Sequence, residues 1–392
     1  MQAHLATDEA QNAYTSYLSQ QSSYYTGNYT YTTLLAQTGD QLFGSLNTLM
    51  GNTCKLEAWG LDYGDLRYAY TDVDRDLNKS GNIIGYYDGY SFAGKWDSGN
   101  TWNREHTWPQ SKGANKDIPM GHDMQSVRPT RKAANSDRGN TAYGEGGSYY
   151  DPDEISINNS AYKKINLGTY RGDAARVIMY DYIVYGQAGS YKNSLYNGNA
   201  QLLNKLGSSG VFESLRIMLK WHMQDPPSLT EMVRNDGAQA YQGNRNPFID
   251  FPEFAIQIFL NNSNIKTHKV KVNTSATLWP NYQYTLSDGF IAYLTEADGS
   301  RPESVDVTGA TYSYDATMGR LTITNVTSDM VISTNGITAI DDIYYSNKIV
   351  IYNITGTIIA EISSENLSST LQTLPSGLYI IQQGNQARKI MR

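Results

Sequence analysis

Asn103-Arg104-Glu105-His106-Thr107-Trp108-Pro109 is the stretch on which the reading of this chain turns. It sets a carboxylate and an imidazole side by side behind an arginine. The Glu-His pair is not part of a zinc-protease helix, because no second histidine follows four residues later. On an extended strand, neighbours face opposite sides. At a bend or a strand end, Glu105 could instead hold a metal while His106 faces a water beside it. Downstream, Arg128-Pro129-Thr130-Arg131-Lys132-Ala133-Ala134-Asn135-Ser136-Asp137-Arg138-Gly139-Asn140 mixes basic groups with amide oxygens. Residues 101–140 carry seven Lys or Arg against four Asp or Glu, a local charge of +3. A basic patch around a candidate proton acceptor is what a phosphodiester substrate demands.

The rest of the chain is acidic, with a formal net charge of −7 and a pI near 5.3, so global charge does not favour nucleic acid. Its 392 residues exceed one ordinary core, and two or three domains are expected. Only 18% of residues are charged, which argues against disorder. No apolar run is long enough to span a membrane. A single cysteine, Cys54, excludes an internal disulfide framework and a cysteine-based zinc site, and reads as a small buried hydrophobe. Abundant Tyr and Gly, with runs of Asn, Ser and Thr, suit the surface of a secreted β-rich protein. The N-terminal residues carry neither the basic nor the apolar region of a signal peptide. Either the protein is cytosolic or the sequence starts after a cleavage point.

Arg171-Gly172-Asp173-Ala174-Ala175-Arg176 leads into an apolar run to Val184, read as a helix ended at Gly186. Val211, Leu215, Met218, Leu219 and His222 form a second helical stripe, stopped by Pro226-Pro227. A third helix is expected from Glu231 to Ala240. From about residue 266 short β-branched runs take over, among them 321–324, 330–333 and 348–352, with turns at Asp298-Gly299, Met318-Gly319 and Asn335-Gly336. The expected domains are therefore 1–265, a small β-sandwich-like module at 266–335, and a β unit at 336–392. Every chemistry-bearing motif lies upstream of residue 266, so deletion from there should leave the upstream unit working.

The remaining candidates read more plainly. His222, on an apolar helix stripe beside Trp221, is a buried structural histidine, while His4 and His268 are solvated. Asp72, Asp74, Asp76 and Asn78 resemble a calcium loop, but Leu77 takes the glycine place and no closing glutamate follows, so a solvated acidic turn is the reading. The tyrosines could stack bases, yet most should fill amphipathic surface.

The Asn103–Pro109 block resembles the signature of the bacterial endonuclease I family of nonspecific DNA and RNA nucleases. Further similar blocks follow in order: Asp123 through Arg128-Pro129, Asn135 to Asn140, Arg171 to Arg176, Trp221-His222, Asp225-Pro226, and Gln242-Gly243-Asn244-Arg245-Asn246-Pro247-Phe248-Ile249-Asp250. The likeness spans about residues 40–255. It implies an α+β nuclease domain with a ββα-metal active-site motif, followed here by small all-β C-terminal modules. It also implies that His106 is the general base, that Glu105 and Asn135 bind one divalent metal (Mg2+, with Mn2+ or Ca2+ as options), and that Arg104 and Arg138 hold phosphates. Arg176 reads either as a third phosphate contact or as a structural ion-pair partner. Gln125 departs from the pattern, because several relatives carry histidine there.

Ile351-Tyr352-Asn353-Ile354-Thr355-Gly356, then Leu374-Pro375-Ser376-Gly377-Leu378-Tyr379-Ile380-Ile381 and the basic end Arg388 to Arg392, resemble the C-terminal sorting domains of Bacteroidetes secreted proteins, without the usual Pro-Asn-Pro opening. This implies outer-membrane secretion machinery as a partner and a secreted or cell-surface location. The reading is then a secreted metal-dependent endonuclease acting on DNA and RNA and leaving 5′-phosphate ends. The competing reading is an inactive surface adhesin or glycan-binding protein on a nuclease-like domain. A metallohydrolase of some other phosphodiester is a third.

Overall fold

The computed structural model describes residues 8–56, 59–145, 170–186, 211–263, 265–334, 348–353, 358–363, 366–375, 378–383 and 386–391. His4, the turn at Asn335-Gly336, and the tail segments Ile354–Gly356 and Ser376-Gly377 lie outside these residues. The chain forms two compact units, Met1–Ile332 and Ser333–Arg392.

The first unit opens with helices α1 (Asp8–Tyr24), α2 (Tyr31–Leu35), α3 (Gly39–Thr53) and α4 (Leu66–Val73), then a short hairpin of β1 (Asn82–Ile84) and β2 (Ser91–Ala93). Next come β3 (Trp102–His106), β4 (Val127–Arg131) and, with no intervening loop, α5 (Lys132–Arg138). The two strands pair antiparallel, with Glu105 opposite Arg128 and His106 opposite Val127, and α5 packs on both. This strand–strand–helix arrangement carries Glu105, His106 and Asn135.

The scaffold behind it is helical: α6 (Arg171–Tyr185), α7 (Leu215–Gln224), α8 (Leu229–Gln242), α9 (Pro247–Asp250) and α10 (Phe254–Ile258). Helix α6 is buried on nearly every face, packing on α3, α7 and α9, so its sequence shows no polar stripe. The starts and stops are written locally. Ser214 caps α7, Ser228 and Glu231 form a reciprocal capping box on α8, and Asn246 caps α9 ahead of Pro247. Gly243 ends α8 at φ 89°, where an added Cβ would lie 2.2 Å from the Thr53 carbonyl. Only glycine fits that turn.

The β-rich continuation holds β5 (His268–Asn273), β6 (Thr277–Trp279), β7 (Tyr284–Thr285), β8 (Ile291–Thr295), β9 (Val305–Thr308), β10 (Thr311–Asp315), β11 (Arg320–Thr324) and β12 (Met330–Thr334). They form two four-stranded sheets, ordered β10-β11-β8-β6 and β7-β5-β12-β9. Their inner faces do not form a separate core. Phe248, Ile256 and Phe259 from the helical part share one buried cluster with Val270, Leu278, Tyr282 and Phe290 from the sheets. Arg216 pairs with Asp288 at 2.5 Å, and Gln224 donates to the Asp288 carbonyl. A cut at residue 266 would therefore fall inside one compact unit. Such a cut strips apolar cover from the helical core, and the compact unit closes only at Ile332.

The second unit pairs β13 (Lys348–Asn353), β14 (Ile358–Ser363), β15 (Leu378–Gln383) and β16 (Gln386–Met391) in the order β14-β13-β15-β16, with α11 (Leu367–Thr373) between β14 and β15 in sequence. Ile349, Ile351, Leu374, Tyr379 and Ile381 are its core. Among the described residues, no helix is long and apolar enough to cross a membrane.

Candidate active site

Arg104, Glu105, His106, Pro109, Gln110, Asn135, Arg138, Gly139 and Asn140 line a polar cavity of about 130 Å³ at the end of β3 and the C-terminal turn of α5. Five of the six site residues expected from sequence converge here: Arg104, Glu105, His106, Asn135 and Arg138. Arg176 does not.

His106 ends β3, where the strand gives way to the Thr107–Ser126 connection. That connection is shaped to receive its ring. The ring Nε2 lies 2.9 Å from the carbonyl oxygen of Gly121, so Nε2 carries the proton and donates it. Only glycine fits at 121, because a Cβ there would lie 1.9 Å from the Asn115 carbonyl. With Nε2 protonated, Nδ1 is left as the acceptor, and the Gln110 amide stands 3.4 Å from it. The Tyr63 ring stacks on the imidazole at 5.2 Å between centroids. Burial pushes the His106 pKa down to about 4, against the hydrogen bond to Gly121, and the charges of Arg104 and Arg138 act in the same direction as burial. The imidazole is neutral at pH 7, as a proton acceptor must be.

Glu105 points away from the solvent and is 2% exposed. Its Oε1 accepts from the Tyr87 hydroxyl at 2.6 Å and from Arg138 at 3.0 Å. Burial holds its pKa above the ordinary carboxylate range, opposed by Arg138 and by the Tyr87 hydrogen bond. Arg138 is itself buried. It also donates to the carbonyls of His106 at 2.9 Å and Thr107 at 2.8 Å, so it clamps the strand end as well as facing the cavity. Asn135 stands one helical turn before Arg138 on α5, half-buried, with its side chain at the cavity. Arg104 is held by the Tyr63 carbonyl, with its guanidinium 3.7 Å from the centroid of the Tyr63 ring and 5.1 Å from that of Trp96.

The donor set fits a hard divalent cation. Among the described residues nothing hydrogen-bonds Glu105 Oε2 or the Asn135 side-chain amide. One carboxylate and one amide oxygen in a polar cavity match an ion that keeps most of its waters. Among the described residues there is also no cluster of three His, Cys, Asp or Glu that could form a closed metal site.

Arg176 is fully buried in α6. It makes a bidentate pair with Glu231 at 2.6 and 2.7 Å and donates to the Asp225 carbonyl. Of its two sequence readings, the ion-pair partner describes this geometry. Arg245 in the Gln242–Asp250 block is likewise buried and bidentate, to Asp250. Gln125 is buried and tied to Asn235, away from the cavity, and His122 contacts the Lys116 carbonyl instead. His222 is fully buried, with Nε2 2.7 Å from the Pro252 carbonyl, as a structural histidine should be. Sequence reasoning missed Tyr63, Tyr87, Gly121 and Tyr143, which are distant in sequence and carry no local motif.

Residues 38–253 match the Endonuclease I family. This chain belongs to the endonuclease I family, and with it to the enzymes that hydrolyse nucleic acids. It is 31% identical over 239 residues to an extracellular ribonuclease of Bacillus subtilis (strain 168), an alignment covering 57% of this chain and 75% of that protein. An extracellular ribonuclease of Bacillus amyloliquefaciens is also 31% identical, over 238 residues with the same coverage.

Proposed function

We propose that this chain is a secreted, divalent-metal-dependent endonuclease that hydrolyses phosphodiester bonds in DNA and RNA and leaves 5′-phosphate ends. The observation that carries the reading is the fixed tautomer of His106. Its Nε2–H is spent on Gly121, which leaves Nδ1 as the ring's proton acceptor, met among the described residues only by the exposed Gln110 amide at 3.4 Å. His106 removes that proton from a water as the water oxygen bonds to phosphorus, and the 3′-oxygen departs. Glu105 and Asn135 would hold the cation, and the order β3, β4, α5 fits a ββα-metal motif. The chemistry supplied by a bound cation is charge neutralisation at the phosphate and at the leaving oxygen. Arg104 orients a phosphate at the cavity rim. Arg138 acts on the site chiefly by fixing Glu105 and the His106 carbonyl. The extracellular setting of the Bacillus relatives supports secretion, and their ribonuclease activity supports RNA as one substrate. The C-terminal unit would serve outer-membrane sorting, on the strength of its sequence resemblance. An inactive adhesin is not favoured, because Glu105, His106 and Asn135 are intact and share one cavity.

Digestion of plasmid DNA and total RNA with Mg2+, Mn2+, Ca2+ or EDTA tests this directly. Both substrates should be cut with metal and spared with EDTA, and the fragments should ligate without prior phosphorylation. Cleavage at limiting substrate should also slow steeply between 50 and 200 mM salt, since each neutralised phosphate releases counterions. Metal-independent cleavage, or no cleavage at all, would remove the proposal. A rate indifferent to salt would take the basic stretch off the phosphate backbone.

A further inference from the structure

We infer that Tyr87, backed by Tyr143, is a positioning residue that sets the affinity of the site for its cation by fixing the Glu105 carboxylate; this rests on the metal role assigned to Glu105 above. Tyr87 is fully buried, yet its backbone lies at φ 80°, a conformation that costs a tyrosine and that surrounding structure must impose. That turn delivers the phenol to Glu105 Oε1 at 2.6 Å. The Tyr143 hydroxyl lies 2.6 Å from the Tyr87 hydroxyl. A phenol has one proton, and that of Tyr87 goes to the carboxylate, so Tyr143 donates to the Tyr87 oxygen. Tyr143 is anchored in turn. Its backbone N–H donates to the Val211 carbonyl at 2.8 Å, its carbonyl accepts from Glu213 at 2.7 Å, and the Arg138 guanidinium sits 4.7 Å from its ring centroid.

The consequence is directional. Tyr87 and Arg138 both occupy Oε1, which leaves Oε2 as the free oxygen and removes the carboxylate's rotational freedom. Such outer partners commonly shift metal affinity by about 10- to 100-fold. A purely structural tyrosine would change the melting temperature and leave Mg2+ affinity of the folded protein alone.

Calorimetric titration of Mg2+ into the full chain separates these roles, with Tyr87→Phe, Tyr143→Phe and Glu105→Gln compared with wild type, each confirmed folded in EDTA by circular dichroism. Tyr87→Phe should bind Mg2+ at least about 10-fold more weakly, and its cleavage rate should return near wild type at saturating Mg2+. Tyr143→Phe should shift the same way by less. Should Tyr87→Phe not fold, Tyr143→Phe decides. Unchanged Mg2+ affinity in the folded tyrosine variants, with binding lost in Glu105→Gln, would overturn this inference alone. Unchanged affinity in Glu105→Gln as well would overturn the metal assignment beneath it.

Discussion

His106→Ala should lower the cleavage rate by about 10²–10⁴-fold while leaving metal binding and nucleic-acid binding in place, because only the proton acceptor is removed. The geometry makes the variant interpretable. The imidazole hydrogen-bonds a carbonyl of the Thr107–Ser126 connection and an exposed amide, and no buried charge depends on it. The pH profile carries the same information. A folded pKa near 4 keeps Nδ1 available through neutral pH, so wild-type activity should hold down through pH 6 and fall as the pH approaches 4. In His106→Ala the part of that limb set by the imidazole should vanish, leaving only the fall that follows protonation of Glu105, whose pKa burial holds up. The same depression has a stability consequence. The unfolded chain takes up this proton first, near pH 6.5, so the stability contributed by neutral His106 is present above 6.5 and lost as the pH falls towards 4. Initial rates against pH for both proteins, with metal saturating, are the check. A variant that keeps its full rate places the base elsewhere.

Arg176→Ala should cost about 3–5 kcal/mol of stability, because it leaves buried Glu231, with Asp173 beside it, without its guanidinium. Urea unfolding in EDTA would show this as a large fall in midpoint. The folded fraction should keep its substrate KM and its Mg2+ dependence. A phosphate-contacting arginine predicts the reverse, a raised KM with little loss of stability. The two outcomes decide between the two readings that the sequence leaves open for this residue.

What could be read in advance divides by range. Helices α6 and α7 were legible because apolar spacing, a closing glycine and prolines are local signals, as were β11, β12 and β13 through their β-branched runs. Glu105 and His106 stood out as neighbours in a locally basic stretch, whereas Asn135, Arg104 and Arg138 were pointed to by the family resemblance, and Gln110, Gly139 and Asn140, which also line the cavity, were not singled out. Tyr87, Tyr143 and Gly121 were not legible either. Each acts across the fold through one hydrogen bond, and one phenol among many tyrosines carries no mark in sequence. Arg176 and Arg245 show the converse. A buried arginine in a recurrent motif looks the same in sequence whether it holds a phosphate or a carboxylate, and only its burial and its partner tell the two apart. The boundary expected at residue 266 shows the same limit of range. The change from helical to strand periodicity is real, but it does not reveal that both parts share one core.

The most direct test of the central claim is the cleavage rate as a function of Mg2+ concentration for Glu105→Ala, Asn135→Ala and His106→Ala beside wild type. The two ligand variants act through metal occupancy, so their curves should move to higher Mg2+ and recover part of the lost rate. The His106→Ala curve should keep the wild-type midpoint on a plateau lowered by about 10²–10⁴-fold, because added cation cannot accept the proton. Rescue of His106→Ala to the wild-type rate by Mg2+, or an unshifted midpoint in both Glu105→Ala and Asn135→Ala, would contradict the account.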